Sequence, residues 1–373
     1  MTSFSMSSNK KNSKRGLPFR LGAQFISRGT SDLKAPEQFG HVLNKDQKKK
    51  IRKLQWITYT ISALIGATAV LIVILPYHLT AFFKPTHIEF WGISIDYDIT
   101  YFVYAIAIIF PEIWLLNVVN IRAVRTLCRI YRFPSVHSRD YNEQVDLLTE
   151  AGLEIPSSHM MSLGIDPYVG MTRLSYYALF LFNKIKASLT NVAAKFIVRR
   201  LLGRYALRIV TDLVGVPIYA FWDAWSSHLV IKETKLRISS YSAINDFMKD
   251  IRDEQLYAIR QKLPDLINFI AQQKRQYNFS LYAFIQAILL RIPDLSLRTT
   301  KEIKAENLLT GNTQDDLLIS HLMIFGMIID GTLSLKERLV LKNLSKEDWF
   351  PLTVSEVDDI VDGYIQGQGV RKF

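Results

Sequence analysis

Residues 56–83 read WITYTISALIGATAVLIVILPYHLTAFF. No Lys, Arg, Asp or Glu interrupts the run. It exceeds the ~20 residues with which a helix crosses a hydrocarbon core of about 30 Å. A bilayer gives the backbone no hydrogen-bond partners, so a span must satisfy its own. The run is therefore predicted to be a transmembrane helix ending near Leu75, with Pro76 at its exit. The competing reading is a buried helix of a large soluble protein. Length argues against it, because globular helices average about 10–14 residues. Ser62 and Gly66, and likewise Ala63 and Ala67, are four apart. Small residues at that spacing let a neighbouring helix approach closely.

A second apolar segment covers 99–119, and the connection over 84–98 holds one Lys and three acids, Glu89, Asp96 and Asp98. Lys48, Lys49, Lys50, Arg52 and Lys53 precede the first segment; Arg122, Arg125, Arg129 and Arg132 follow the second. Basic outer flanks around an acidic connection fit one orientation: a two-helix hairpin, at about 56–76 and 99–119, with both termini inside. Trp56, Trp91 and Tyr97 suit the interfacial aromatic belts. Glu112 follows Pro111 within the second segment. A charge at mid-membrane costs about 3 kcal/mol on insertion scales, so Glu112 is a candidate proton, ion or helix-pairing site. The alternatives place it nearer the inner interface, or protonated and bonded to the first helix.

The formal net charge of the 373 residues is +12, and residues 1–55 hold thirteen Lys and Arg against three acids. The basic balance is thus a property of one tail. It is read as mostly disordered and held at an anionic inner leaflet, where each nearby basic residue contributes about 1 kcal/mol. A mitochondrial transit peptide shares this composition. No aromatic and basic pattern of a nucleic-acid module accompanies it, so no nucleic-acid partner is expected. The single cysteine, Cys128, excludes an internal disulfide and any multi-cysteine metal site.

Residues 120–238 are read as a membrane-proximal helical region. Arg200, Arg204 and Arg208 recur at four-residue steps and form a basic stripe for the membrane surface. Residues 213–231, LVGVPIYAFWDAWSSHLVI, have the length of a third crossing, but Asp223, Ser226, Ser227 and His228 argue against one. A hairpin broken at Gly215 and Pro217 and lying on the inner face is expected, or a buried soluble helix. The patch resembles the Gly/Pro-interrupted hydrophobic hairpin of EcsC-like membrane-associated proteins, a resemblance that implies no activity.

From residue 239 the pattern turns soluble and helical. In MIIDGTLSLKERLVLKNL, 327–344, Asp330-Gly331 ends one apolar helix, and Ser334 and Glu337 form a capping box for the next. Thr313 with Asp316 and Thr353 with Glu356 have the same spacing. This stretch resembles the TerB-like domain of tellurite-resistance and stress-associated proteins. The resemblance implies an all-helical, non-enzymatic domain over roughly 240–367. It also implies a divalent-cation site, with Asp330 and Glu337 as ligands. Helix capping alone accounts for both residues and is the preferred reading, and the D-x-D-x-D run of a calcium loop is absent.

Phosphate loops, G-x-S-x-G, H-E-x-x-H and dinucleotide glycine patterns are missing, so neither an enzyme nor a cofactor is expected. The fold class is all-α: a membrane hairpin carrying a cytosolic helical bundle over 239–373. The expected role is a membrane-anchored scaffold or adaptor for a protein partner. Two alternatives stand beside it: an ion or small-solute pathway of oligomerised hairpins around Glu112, and a membrane-bound enzyme. The expected compartment is the bacterial cytoplasmic membrane, with the mitochondrial inner membrane as the alternative.

Overall fold

The structure is a computed structural model that describes residues 16–33, 43–79, 86–90, 93–97, 99–135, 140–155, 163, 165, 213–274, 278–297 and 303–368. The stripe of Arg200, Arg204 and Arg208 lies outside them. The described elements are α1 (Leu17–Thr30), α2 (Lys45–Leu79), β1 (Thr86–Phe90), β2 (Ile93–Tyr97), α3 (Ile99–Tyr131), α4 (Tyr141–Gly152) and α5 (Gly215–Asp250). They continue with α6 (Asp253–Ala258), α7 (Leu263–Lys274), α8 (Phe279–Arg291), a 3-10 turn (Ala305–Leu308), α9 (Thr313–Ile328), α10 (Leu335–Leu344) and α11 (Val354–Ile365). The fold is helical. Among the described residues the exception is the acidic connection, which pairs as an antiparallel ribbon with Ile88 opposite Ile95.

The chain divides into two compact units. One comprises Met1–Lys49, Leu127–Tyr176 and Lys232–Phe373; the other comprises Lys50–Thr126 and Tyr177–Ile231. The first unit corrects two expectations. Residues 17–30 of the tail are a helix, not a disordered arm. Phe19, Gly22, Ile26 and Gly29 repeat at helical spacing and are buried, and Pro18 sits in the first turn, where a missing N–H costs nothing. Thr30 Oγ1 lies 2.8 Å from Tyr141 OH, and Tyr141 OH also donates to the carbonyl of Ser27, so α1 packs on α4. Arg129 Nε donates to Gly29 O at 3.1 Å, placing a cation at the carbonyl end of α1.

The second correction concerns residue 239, which is no boundary. The helix α5 runs through it without a break, and Ala243, Ile244, Met248 and Ile251 belong to the core of the C-terminal helices. Phe247 of α5 stacks on Phe325 of α9 at 4.0 Å between centroids, and Phe284 of α8 meets Phe325 edge-on at 5.1 Å. Such aromatic pairs contribute about 0.5–1.5 kcal/mol beyond their burial. Pro264 falls in the first turn of α7, where its missing N–H costs nothing.

In the other unit, α2 and the Val103–Tyr131 part of α3 are long and apolar enough to cross a membrane. Only 22% and 11% of their most apolar stretches is buried, whereas the core helix of a soluble protein is mostly buried. Ile57, Ile61, Leu64 and Ile72 of α2 and Ile109, Phe110, Ile113 and Trp114 of α3 are all exposed. The helix α2 continues past Pro76 to Leu79. Proline lacks the N–H that would bond the carbonyl four residues back. That carbonyl, Ile72 O, instead accepts from Tyr104 OH at 2.8 Å.

Candidate functional site

Two buried polar clusters stand out, one in each unit. The first is a seam among α2, α3 and α5. Ser62 Oγ lies 2.6 Å from Ser227 Oγ, which donates to Asn120 Oδ1 at 2.7 Å. Ser62 and Ser227 are 0% exposed and Asn120 is 1% exposed, so all three helices meet here. Tyr59 OH lies 2.9 Å from His228 Nδ1, and the His228 ring stacks on Trp225.

One turn further along α2, Gly66 faces Asp223. A Cβ on Gly66 would fall 2.3 Å from Asp223 Oδ2 and 3.1 Å from the Tyr219 carbonyl. A glycine therefore lets α5 approach α2 closely at this point. The carboxyl of Asp223 is the side-chain neighbour of Glu112 in this seam. The sequence singled out Glu112; it missed Tyr59, Asn120, Asp223, Ser227 and His228 as its company. The small-residue spacing of Ser62 and Gly66 did carry a signal, and the helix that it receives is α5. Gly215 and Pro217 open α5 and do not interrupt it.

The second cluster gathers around the DG turn after α9. Gly331 has φ +65°, a left-handed conformation that favours glycine. Ser334 Oγ accepts from Glu337 N at 3.2 Å while Glu337 Oε2 accepts from Ser334 N at 2.8 Å, the reciprocal capping box that the spacing predicts. Thr353 and Glu356 close a second box at α11. At α9 the cap is Asn312, one residue earlier than expected, because Asp316 is taken by the amide and hydroxyl of Thr310 at 2.7 and 2.8 Å.

The other faces of Asp330 and Glu337 hold a lysine. Lys274 Nζ, at the end of α7, lies 2.8 Å from Asp330 Oδ1 and 2.9 Å from Glu337 Oε1, and donates to Met327 O at 2.6 Å. The approach to Glu337 lies off the hydrogen-bond direction, so that contact is ionic. The Lys274 side chain is 1% exposed. Asp330 Oδ2 also accepts from Asn278 Nδ2, and Oδ1 from the Thr332 amide. Burial pushes the Asp330 carboxyl above its usual value, and Lys274 opposes that shift. The ammonium thus occupies the position between the two carboxylates that the sequence reading offered to a divalent cation. Among the described residues no group of three or more His, Cys, Asp or Glu is placed to hold a metal.

The basic flanks fall on helices: Lys48, Lys49, Lys50, Arg52 and Lys53 in the first turns of α2, and Arg122, Arg125 and Arg129 in the last turns of α3, with Arg132 just beyond. Cys128 is 0% exposed, which closes it to lipid attachment in this conformation. Comparison with protein-family models, with curated proteins and with solved structures gives no match to this chain.

Proposed function

We propose that this protein is an integral membrane scaffold, anchored by α2 and α3, that presents a rigid helical bundle to a protein partner. The observation that carries the reading is the exposed apolar surface of two long helices whose polar groups are turned toward one another. Water would penalise that surface by about 25 cal/mol per Å², and a bilayer would not. The basic ends of α2 and α3 then suit an anionic inner leaflet. On the bundle, Leu335 and Leu339 of α10 are 86% and 64% exposed and one turn apart, and we assign the partner contact to them. Single exposed leucines are common, but two on one helical face form a docking stripe.

The test is cross-linking of the full chain in native membranes, comparing the wild type with the double variant Leu335→Asp/Leu339→Asp. The scaffold reading expects a discrete cross-linked species that the double variant loses while its circular dichroism and membrane fraction are unchanged. A protein recovered in the soluble fraction after alkaline extraction defeats the membrane reading.

A second reading, a proton or small-ion pathway built from oligomerised copies, is favoured by one observation: the Glu112–Asp223 carboxyl pair set among apolar helices. Proton flux into liposomes that depends on Glu112 would select it.

A further inference from the structure

We infer that the first half of α5, residues 215–231, is itself a membrane-embedded helix that passes through both leaflets beside α2 and α3, with lipid chains against its apolar face. The inference rests on the membrane reading of α2 and α3 and adds a helix that composition argues against.

Three contacts fix its course. Tyr59 meets His228, Ser62 meets Ser227, and Gly66 meets Asp223. Positions rise along α2 as they fall along α5, so the two helices are antiparallel. Extending this register sets Ile231 level with about Trp56, and Gly215 level with about Ile72. Ile72 is bonded to Tyr104, near the start of α3, and so lies toward the far end of both apolar helices. At 1.5 Å per residue, 215–231 covers about 25 Å of a hydrocarbon core of about 30 Å.

Three of the four polar residues that spoke against a crossing are placed in the seam. Ser227 bonds Ser62 and Asn120, His228 bonds Tyr59, and Asp223 sits against Gly66 and Glu112. The opposite face carries Phe221, Trp225 and Leu229 at four-residue steps, 57%, 41% and 42% exposed. Leu229 and Trp225 lie at the levels of the exposed Ile61 and Leu64 of α2, and Phe221 lies one turn further along, so the apolar belt continues from α2 onto α5. A protein partner would cover one side of such a belt; acyl chains cover the whole of it.

The experiment is site-directed spin labelling of the full chain in liposomes. Labels go on cysteines at Phe221, Trp225 and Leu229, and at Ile57 and Leu64 for reference, in a Cys128→Ser background. Accessibility to oxygen and to a water-soluble nickel complex reports depth. The expected result is a label at Trp225 about 6 Å deeper than one at Leu229 and matching Leu64, with Phe221, near mid-membrane, at least as deep as Trp225. Three labels at one shallow depth, with Leu64 still deep, would mean that α5 lies on the surface and overturns the inference alone. Shielding of all three from both reagents, with Leu64 open to oxygen, would mean a protein covers the face and also overturns it. A Leu64 label open to nickel would overturn the membrane reading beneath it.

Discussion

Replacing Lys274 by Met removes the cation from between two buried carboxylates. The Lys274 side chain is 1% exposed, and those of Asp330 and Glu337 are 9% and 3% exposed, so water can replace little of what is lost. Breaking a buried ion pair by deleting one partner costs about 3–5 kcal/mol, because the remaining charge is left without compensation. The loss of the donor to Met327 O acts in the same direction. At about 2–4 °C per kcal/mol for a unit of this size, the melting temperature should fall by about 6–20 °C. The assay is thermal and urea unfolding of the full chain in detergent. Adding Asp330→Asn and Glu337→Gln should restore most of the loss, since removing a whole buried charge cluster is often close to neutral. The deficit should also shrink at low pH. Burial already favours the protonated Asp330 carboxyl, and without Lys274 its folded-state value rises further, so protons bind the folded variant in preference to the unfolded chain. A Lys274→Met protein that melts within about 2 °C of the wild type, or whose deficit grows as pH falls, would refute the account of the cluster.

Calcium or magnesium at millimolar concentration should leave the wild-type melting temperature unchanged, because Lys274 Nζ already occupies the site between the carboxylates; a rise abolished by Asp330→Ala would restore the cation reading. Glu112→Gln keeps a hydrogen-bonding group beside Asp223 while removing the titratable carboxyl, so folding in detergent should persist, and under the scaffold reading partner cross-linking should persist with it. Gly66→Ala should destabilise the α2–α5 contact by about 1–3 kcal/mol, since the new Cβ meets Asp223 and the Tyr219 carbonyl, and a disulfide trapped between cysteines at Ser62 and Ser227 should form more slowly. Burial holds the His321 imidazole below its ordinary value of 6.5, so the folded protein binds fewer protons than the unfolded chain. Stability should therefore fall as pH drops below about 6.5, and His321→Gln should flatten that slope in urea titrations.

What the sequence determined by itself was local. An uninterrupted apolar run needs no tertiary partner to declare a long helix, so α2 and α3 were legible from 56–83 and 99–119. The capping boxes of α10 and α11 were legible too, because both halves of each lie within four residues. The amphipathic helix α1 was written in Phe19, Gly22 and Ile26, but the basic composition around them concealed it.

The tertiary structure alone decided which polar residues meet. Lys274 lies 56 residues before Asp330, on another helix, and nothing in its neighbourhood marks it as the partner of the DG turn. Asp223, Ser227 and His228 read as obstacles to burial because their partners, on α2 and α3, lie more than a hundred residues earlier. Polar residues oppose burial only while unpaired, and pairing over that distance is fixed by how helices pack. The same three residues can therefore argue for a solvent-facing segment when read along the chain and hold three helices together when read across them.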